Sequence, residues 1–239
     1  MHHTEAIILS QKNIRENDKI ISFYTKDFGK VEILARGARK IQSKLAGHLQ
    51  FFALLNIGFA KGKNFNHLTS AILKNNYSGI KISAKQINPG MFCLKTVNLL
   101  IKPFRPDVKI FNLLEKLFEL LNADYNSLTA QFFVIKLLAY LGYAPELYLC
   151  VNCKNKIKEE ENFFNFNKGG LICPKCHKNS LEEVSISPQS IKILRLFLKE
   201  NLEVIRKLIK VESSLKEVEK IVLKFLQYHF SPVESPLQK

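Results

Sequence analysis

The chain has 239 residues, 46% hydrophobic and 24% charged. That is enough apolar material for a buried core, and the wrong composition for a disordered segment, a collagen or a coiled-coil rod. Thirty-six Lys and Arg oppose 21 Asp and Glu, giving a net charge of +15 and an isoelectric point near 9.6. Such a surplus attracts polyanions, nucleic acid first and an anionic membrane surface second. Because 30 of the 36 basic residues are Lys, a merely Lys-rich surface is the bland alternative. The opening MHHTEAIILSQKN lacks the charged start and long apolar run of a secretory signal, and no run of about 18 apolar residues is present to span a membrane. A cytoplasmic protein without a membrane partner is expected.

The first third reads as β structure. Residues 4–10 are short and apolar. Residues 19–25 (KIISFYT) and 29–35 (GKVEILA) alternate and carry β-branched and aromatic side chains, with a turn at Asp27, Phe28 and Gly29 between them. Residues 52–60 and 67–73 complete five strands separated by Gly-, Asn-, Asp- and Lys-rich turns, the pattern of a small barrel or sandwich and of a size that fits the OB-fold. A break over 81–90 ends in a turn at Asn88, Pro89 and Gly90, after which the apolar period becomes helical. Helices are predicted over 91–101, over 108–122 with Phe111, Leu114, Phe118 and Leu121 on one stripe, and over 127–141 with Gly142 as the stop. Ser187 before Pro188 predicts a capped helix start, and Ser214 with Glu217 a capping box for the last helix.

Four of the five cysteines form two pairs, Cys150-x2-Cys153 and Cys173-x2-Cys176, 19 residues apart. Two such knuckles bring four thiolates to one ion at tetrahedral geometry, and four thiolates leave no open position for water, so one structural Zn2+ is expected. The linker supports this, with a strand-like NFFNFN over 162–167 and a tight turn at Gly169 and Gly170. A redox pair or four unligated thiols are the rival readings, and His177 is a spare ligand candidate. Cys93 lies in an apolar helix and reads as core. The unit over 149–185 is too small to fold without metal.

Residues 1–80 hold 12 basic and 5 acidic side chains, the largest local excess in the chain. Arg36, Gly37, Ala38, Arg39 and Lys40 follow a predicted strand, with Lys44 soon after, Lys30 before it and Arg15 and Lys19 beside an earlier turn. Arg offers a planar fork to phosphate oxygens, and Gly37 permits close backbone approach. Arg15, Lys30, Arg36, Arg39, Lys40 and Lys44 are therefore the candidate nucleic-acid-binding residues, with Phe23, Tyr24, Phe51, Phe52, Phe59 and Phe65 as candidates for base stacking. No catalytic constellation is visible. Residues 58–63 fall one residue short of a P-loop and lack Ser or Thr after Lys63, and Glu159 and Glu161 sit in a turn between the knuckles. An unrecognised enzyme of a phosphorylated substrate and another kind of zinc-ribbon nucleic-acid binder remain the alternatives.

Three stretches carry a family resemblance. The first is Gly29-Lys30-Val31 through Ala35-Arg36-Gly37-Ala38-Arg39-Lys40 to Ser43. The second is Leu141-Gly142-Tyr143-Ala144-Pro145-Glu146-Leu147 leading into Cys150 and Cys153. The third is Gly169-Gly170-Leu171 leading into Cys173 and Cys176. In order and spacing the chain resembles the RecO family of bacterial recombination mediators, in its zinc-containing branch. The resemblance implies an α+β multidomain fold: an N-terminal five-stranded OB-fold barrel (1–80), then a mainly α-helical domain (81–148 and 186–239) with an inserted four-cysteine zinc finger (149–185). It implies a non-enzymatic, nucleoid-associated protein of DNA repair and recombination. Such a protein binds single- and double-stranded DNA and anneals complementary strands without ATP. With RecR, and often RecF, it promotes loading of RecA onto strands coated by single-stranded DNA-binding protein (SSB), whose acidic, apolar C-terminal tail it grips. Lys102 and Arg105, beside an apolar surface, are the candidate seat of that tail.

Overall fold

The computed structural model describes residues 1–43, 45–123, 128–199 and 212–230. The chain divides into two compact units, Met1–Tyr125 and Asn126–Lys239.

The first unit is built on strands β1 (His2–Ile14), β2 (Asp18–Thr25), β3 (Gly29–Ala35), β4 (Ala53–Ala60) and β5 (Asn66–Asn76). They close into a barrel in the order β1-β2-β3-β5-β4, sealed by a short parallel pairing of Ile33 with Asn66 and Leu34 with His67. This is an OB-like barrel, and closure removes the sheet edges that would template aggregation. Strict alternation sends Ile21 and Phe23, then Val31, Ile33 and Ala35, then Leu55, Ile57 and Phe59 into the interior. β1 is longer than the predicted 4–10 because it serves two neighbours. Residues 2–7 pair with β4 and residues 6–14 with β2, whose register shifts at a bulge between Ile8 and Ser10.

Helices α1 (Ala84–Leu100) and α2 (Val108–Ala123) belong to this unit. The predicted turn at Asn88, Pro89 and Gly90 is instead the second turn of α1. Ser83 caps the start, its Oγ accepting from Lys85 N–H at 3.2 Å. Pro89 costs one helical hydrogen bond close to the end where few are made. Gly90 is needed for packing, since a Cβ there would come within 2.6 Å of the Phe52 ring. The predicted stripe of α2 is fully buried. The connection between the helices is latched to the barrel by Tyr24, whose hydroxyl donates to Asp107 O at 3.2 Å and accepts from Asp107 N–H at 3.1 Å. Burial pushes this phenol up to about 12.

In the second unit, α3 (Thr129–Tyr140), α4 (Pro188–Lys199) and α5 (Glu212–His229) pack together around Leu137, Leu194, Phe197, Val218 and Leu226. A three-stranded antiparallel sheet, β7-β6-β8, holds β6 (Asn162–Asn165), β7 (Gly170–Ile172) and β8 (Glu183–Ile186). The sequence anticipated the β6–β7 hairpin but not β8. Ser187 caps α4 as expected, its Oγ accepting from Ser190 N–H at 3.3 Å. Glu217 does not close a box on its own helix. Its carboxylate accepts from the Ser187 N–H and Oγ–H, so α5 supplies the acid that completes the cap of α4.

Candidate nucleic-acid interface and metal centre

The turn from β1 to β2 is three residues, Arg15, Glu16 and Asn17, with Arg15 in the left-handed region at φ 53°. The chain leaving β3 reverses at Gly37, φ 62°, and folds back over that turn. Local bonds hold the two together. Gly37 N–H donates to Asp18 Oδ1 at 2.8 Å, Arg39 N–H to Asn17 O at 3.1 Å and Lys40 N–H to Gly37 O at 3.1 Å, while Ala38 is buried in the barrel core. The result is an open groove lined by Arg15, Glu16, Asn17, Asp18, Arg36, Gly37 and Lys40. Arg15, Arg36 and Lys40 meet there, and one of the acids, Asp18, is already engaged by Gly37. Sequence reading missed Asn17 and Asp18 as the supports; an Asn-Asp pair at a strand start was the available signal.

The other candidates lie elsewhere. Arg39 is exposed but braces the turn, its Nη1 donating to Glu16 O at 3.0 Å. Lys30 is half-buried and donates to Asn98 O at 2.6 Å; burial lowers its pKa. Lys44 lies outside the described residues. Phe23, Tyr24, Phe52 and Phe59 are buried, whereas Phe65 is exposed. Lys102 and Arg105 are both exposed on the connection between α1 and α2, on either side of an exposed Phe104. Lys30 and that connection meet, since Phe104 N–H donates to Lys30 O at 3.0 Å.

In the second unit the sulfurs of Cys150, Cys153, Cys173 and Cys176 all lie within 4.8 Å of one another. Cys153 and Cys173 are 3.8 Å apart, matching the edge of about 3.8 Å of a tetrahedron with metal–sulfur bonds of about 2.3 Å. Each knuckle is shaped by backbone bonds, Lys154 N–H to Cys150 O at 2.9 Å and Cys176 N–H to Cys173 O at 2.9 Å, and Lys154 takes φ 61° to close the first. Burial opposes ionisation of Cys150. The N–H groups of Cys153, Cys173 and Asn152 outweigh it and bring that thiol down to about 6. Its neighbours then resist a second negative charge, and Cys176, hydrogen-bonded to Cys153, is pushed up to about 12. A metal cation among the sulfurs would let all four ionise together, and the donor set fits a soft metal ion in a closed site. His177 is not part of the cluster. Its ring stacks on Phe163 at 3.5 Å, and its nitrogens meet Glu183 at 2.6 Å and Asn179 at 2.5 Å.

The block over residues 141–147 builds the approach to this centre. Gly142, φ 87°, ends α3 with paired bonds from Gly142 N–H to Ala139 O and Tyr143 N–H to Leu138 O. Glu146 then caps the next turn, its Oε1 accepting from the N–H groups of Tyr148 and Leu149. The Glu146 backbone pairs with Gly169 and Leu171, which ties the first knuckle to the second. Arg195 of α4 donates twice to Leu147 O, at 2.9 and 2.7 Å.

Two family models match the chain: Recombination protein O N terminal over residues 1–77 and Recombination protein O C terminal over residues 90–235. The chain belongs to the RecO family. Among its relatives, the DNA repair protein RecO of Dehalococcoides mccartyi is 34% identical over 200 residues, 83% of this chain and 78% of that protein. That of Roseiflexus sp. is 28% identical over 229 residues, 95% and 81% of the two chains. That of Caldanaerobacter subterraneus subsp. tengcongensis is 27% identical over 231 residues, 95% and 92%. The N-terminal RecO match spans the barrel, and the C-terminal one spans the cysteine cluster. Among the described residues no helix is long and apolar enough to cross a membrane.

Proposed function

We propose that this RecO-family chain is a DNA-binding recombination mediator of DNA repair that acts by holding strands rather than by catalysis. The observation that carries the reading is the convergence of Arg15, Arg36 and Lys40 on one open groove of an OB-like barrel. Arg39, exposed on the same turn, joins them in the proposal, and Lys30 and Lys44 stay candidates from the sequence alone. Annealing brings two polyanions together, and a polycation that holds both lowers their repulsion without ATP. Each phosphate neutralised releases counterion, so binding weakens with salt at a slope of about −0.7 per contact on single strands. Phosphate contacts carry no sequence code, so single- and double-stranded DNA are both ligands.

In this reading the barrel (1–80) is the DNA-binding module, the helices (81–148 and 186–239) form a helical domain, and residues 149–185 are a four-cysteine finger inserted in it. One Zn2+ on Cys150, Cys153, Cys173 and Cys176 supplies folding free energy and no chemistry, since the four sulfurs fill the coordination shell. RecR, RecF, RecA and the acidic SSB tail are the protein partners, met at the nucleoid in the cytoplasm.

The test is annealing of two complementary strands coated with SSB, without nucleotide, over a salt series. Fast annealing of coated strands that fails when the SSB tail is removed is the expected result. Annealing of naked strands alone would reduce the protein to a generic polycation. No annealing at low salt would overturn the reading.

A further inference from the structure

Among the described residues the most exposed aromatic side chain is Phe104, at 67%, on the connection between α1 and α2. The inner side of this connection is fastened throughout. Phe104 N–H donates to Lys30 O, Lys30 Nζ donates to Asn98 O, and Tyr24 holds both backbone groups of Asp107. The Arg105 carbonyl lies so close to Gly29 that a Cβ there would come within 2.4 Å of it. The outer side is the opposite. Lys102, Pro103, Phe104, Arg105 and Pro106 are all exposed, with Val108 half-exposed beside them. Phe104 also sits at φ 56°, a conformation that residues with a side chain enter only at a cost. Such strain clusters at functional sites, and here the ring is left in water.

We infer that this connection is a second nucleic-acid contact, in which Phe104 stacks on an unpaired base while Lys102 and Arg105 take the flanking phosphates. The inference rests on the reading of the chain as a DNA-binding protein and adds a preference for single strands. An aromatic face accepts any base, which suits a protein without a sequence code. Bases of a duplex already stack on each other and leave no slot for the ring. The charge agrees, with Lys102, Arg105 and Lys109 against Asp107 alone, whose carboxylate is engaged by Lys109 N–H at 2.8 Å. An apolar-ended acidic peptide, the other ligand with this charge, calls for a concave pocket rather than a projecting ring.

The experiment compares the full chain with Phe104→Ala, Phe104→Gly and Lys102→Ala/Arg105→Ala. The probes are a single-stranded oligonucleotide carrying 2-aminopurine and the matched duplex. Phe104→Gly also releases the backbone strain, and denaturant unfolding of each variant shows that the fold is kept. Both Phe104 variants are expected to lose about 5- to 100-fold in single-strand affinity, together with the stacking-induced fluorescence change. Duplex affinity should stay within about twofold. Removing Lys102 and Arg105 should flatten the single-strand salt slope by about 1.4. Unchanged single-strand affinity, or an equal loss on both probes, overturns the inference. So does intact DNA binding with lost binding of a synthetic acidic peptide ending in apolar residues. Arg15→Ala/Arg36→Ala/Lys40→Ala, run in the same series, separates the two levels. If that variant loses binding and the Phe104 variants do not, only this inference falls. If the wild type binds neither probe, the DNA-binding reading falls with it.

Discussion

The loop after β3 and the block after α3 are both short stretches with a left-handed glycine, Gly37 in one and Gly142 in the other, and they place their polar groups differently. In the first, backbone bonds among residues 17–18 and 37–40 complete the turn, and the side chains of Arg36 and Lys40 remain exposed. In the second, Glu146 gives both its carboxylate and its backbone to the protein, and Leu147 O accepts two bonds from Arg195. A segment whose polar side chains end on the protein is scaffold, while one whose backbone is satisfied and whose cations face water is a surface for a ligand. If this contrast holds, changes near the cysteines should cost stability, and changes in the cationic loop should cost binding.

The largest effect is expected at the four-cysteine cluster. Cys173→Ser should lose the metal and with it a stabilisation on the order of 10 kcal/mol, leaving insoluble or unfolded protein; metal content and circular dichroism would show this. A stable, metal-free and fully helical variant would break the contrast. Next comes Gly170→Ala. A Cβ there would meet Glu146 O at 2.6 Å and the Val151 side chain at 2.7 Å, a backbone clash that should cost about 2–3 kcal/mol in denaturant unfolding. Gly37→Ala should cost less, about 1 kcal/mol. It is strained at φ 62°, but nothing lies closer to its Cβ than the Lys40 side chain at 3.6 Å. Equal costs at the two glycines would show that backbone conformation, not packing, governs both sites.

Much of this was legible in the sequence. Alternation located the strands because one face of each is buried in the barrel, and the two CxxC knuckles located the four-cysteine cluster because few backbone geometries bring four thiolates together. What was not legible is non-local. β1 could not be given its 13 residues without knowing that two strands share it. Asn88-Pro89-Gly90 reads as a turn until Phe52 is seen filling the space above Gly90. Lys30 looks like any other cation near the basic loop, and only tertiary structure sends it to Asn98. Glu217 forms half of a capping box whose other half lies 30 residues away at Ser187.

In the proposed function the groove of Arg15, Arg36 and Lys40 binds phosphates and does nothing for the fold. This is tested most directly by binding of a labelled single strand over a salt series, for wild type and Arg15→Ala/Arg36→Ala/Lys40→Ala, alongside denaturant unfolding of both. The two unfolding free energies should lie within about 0.5 kcal/mol of each other. The variant should bind more weakly, with a salt slope flatter by about 2. Equal affinity and equal slope would contradict the proposed function and move the DNA site off the barrel groove.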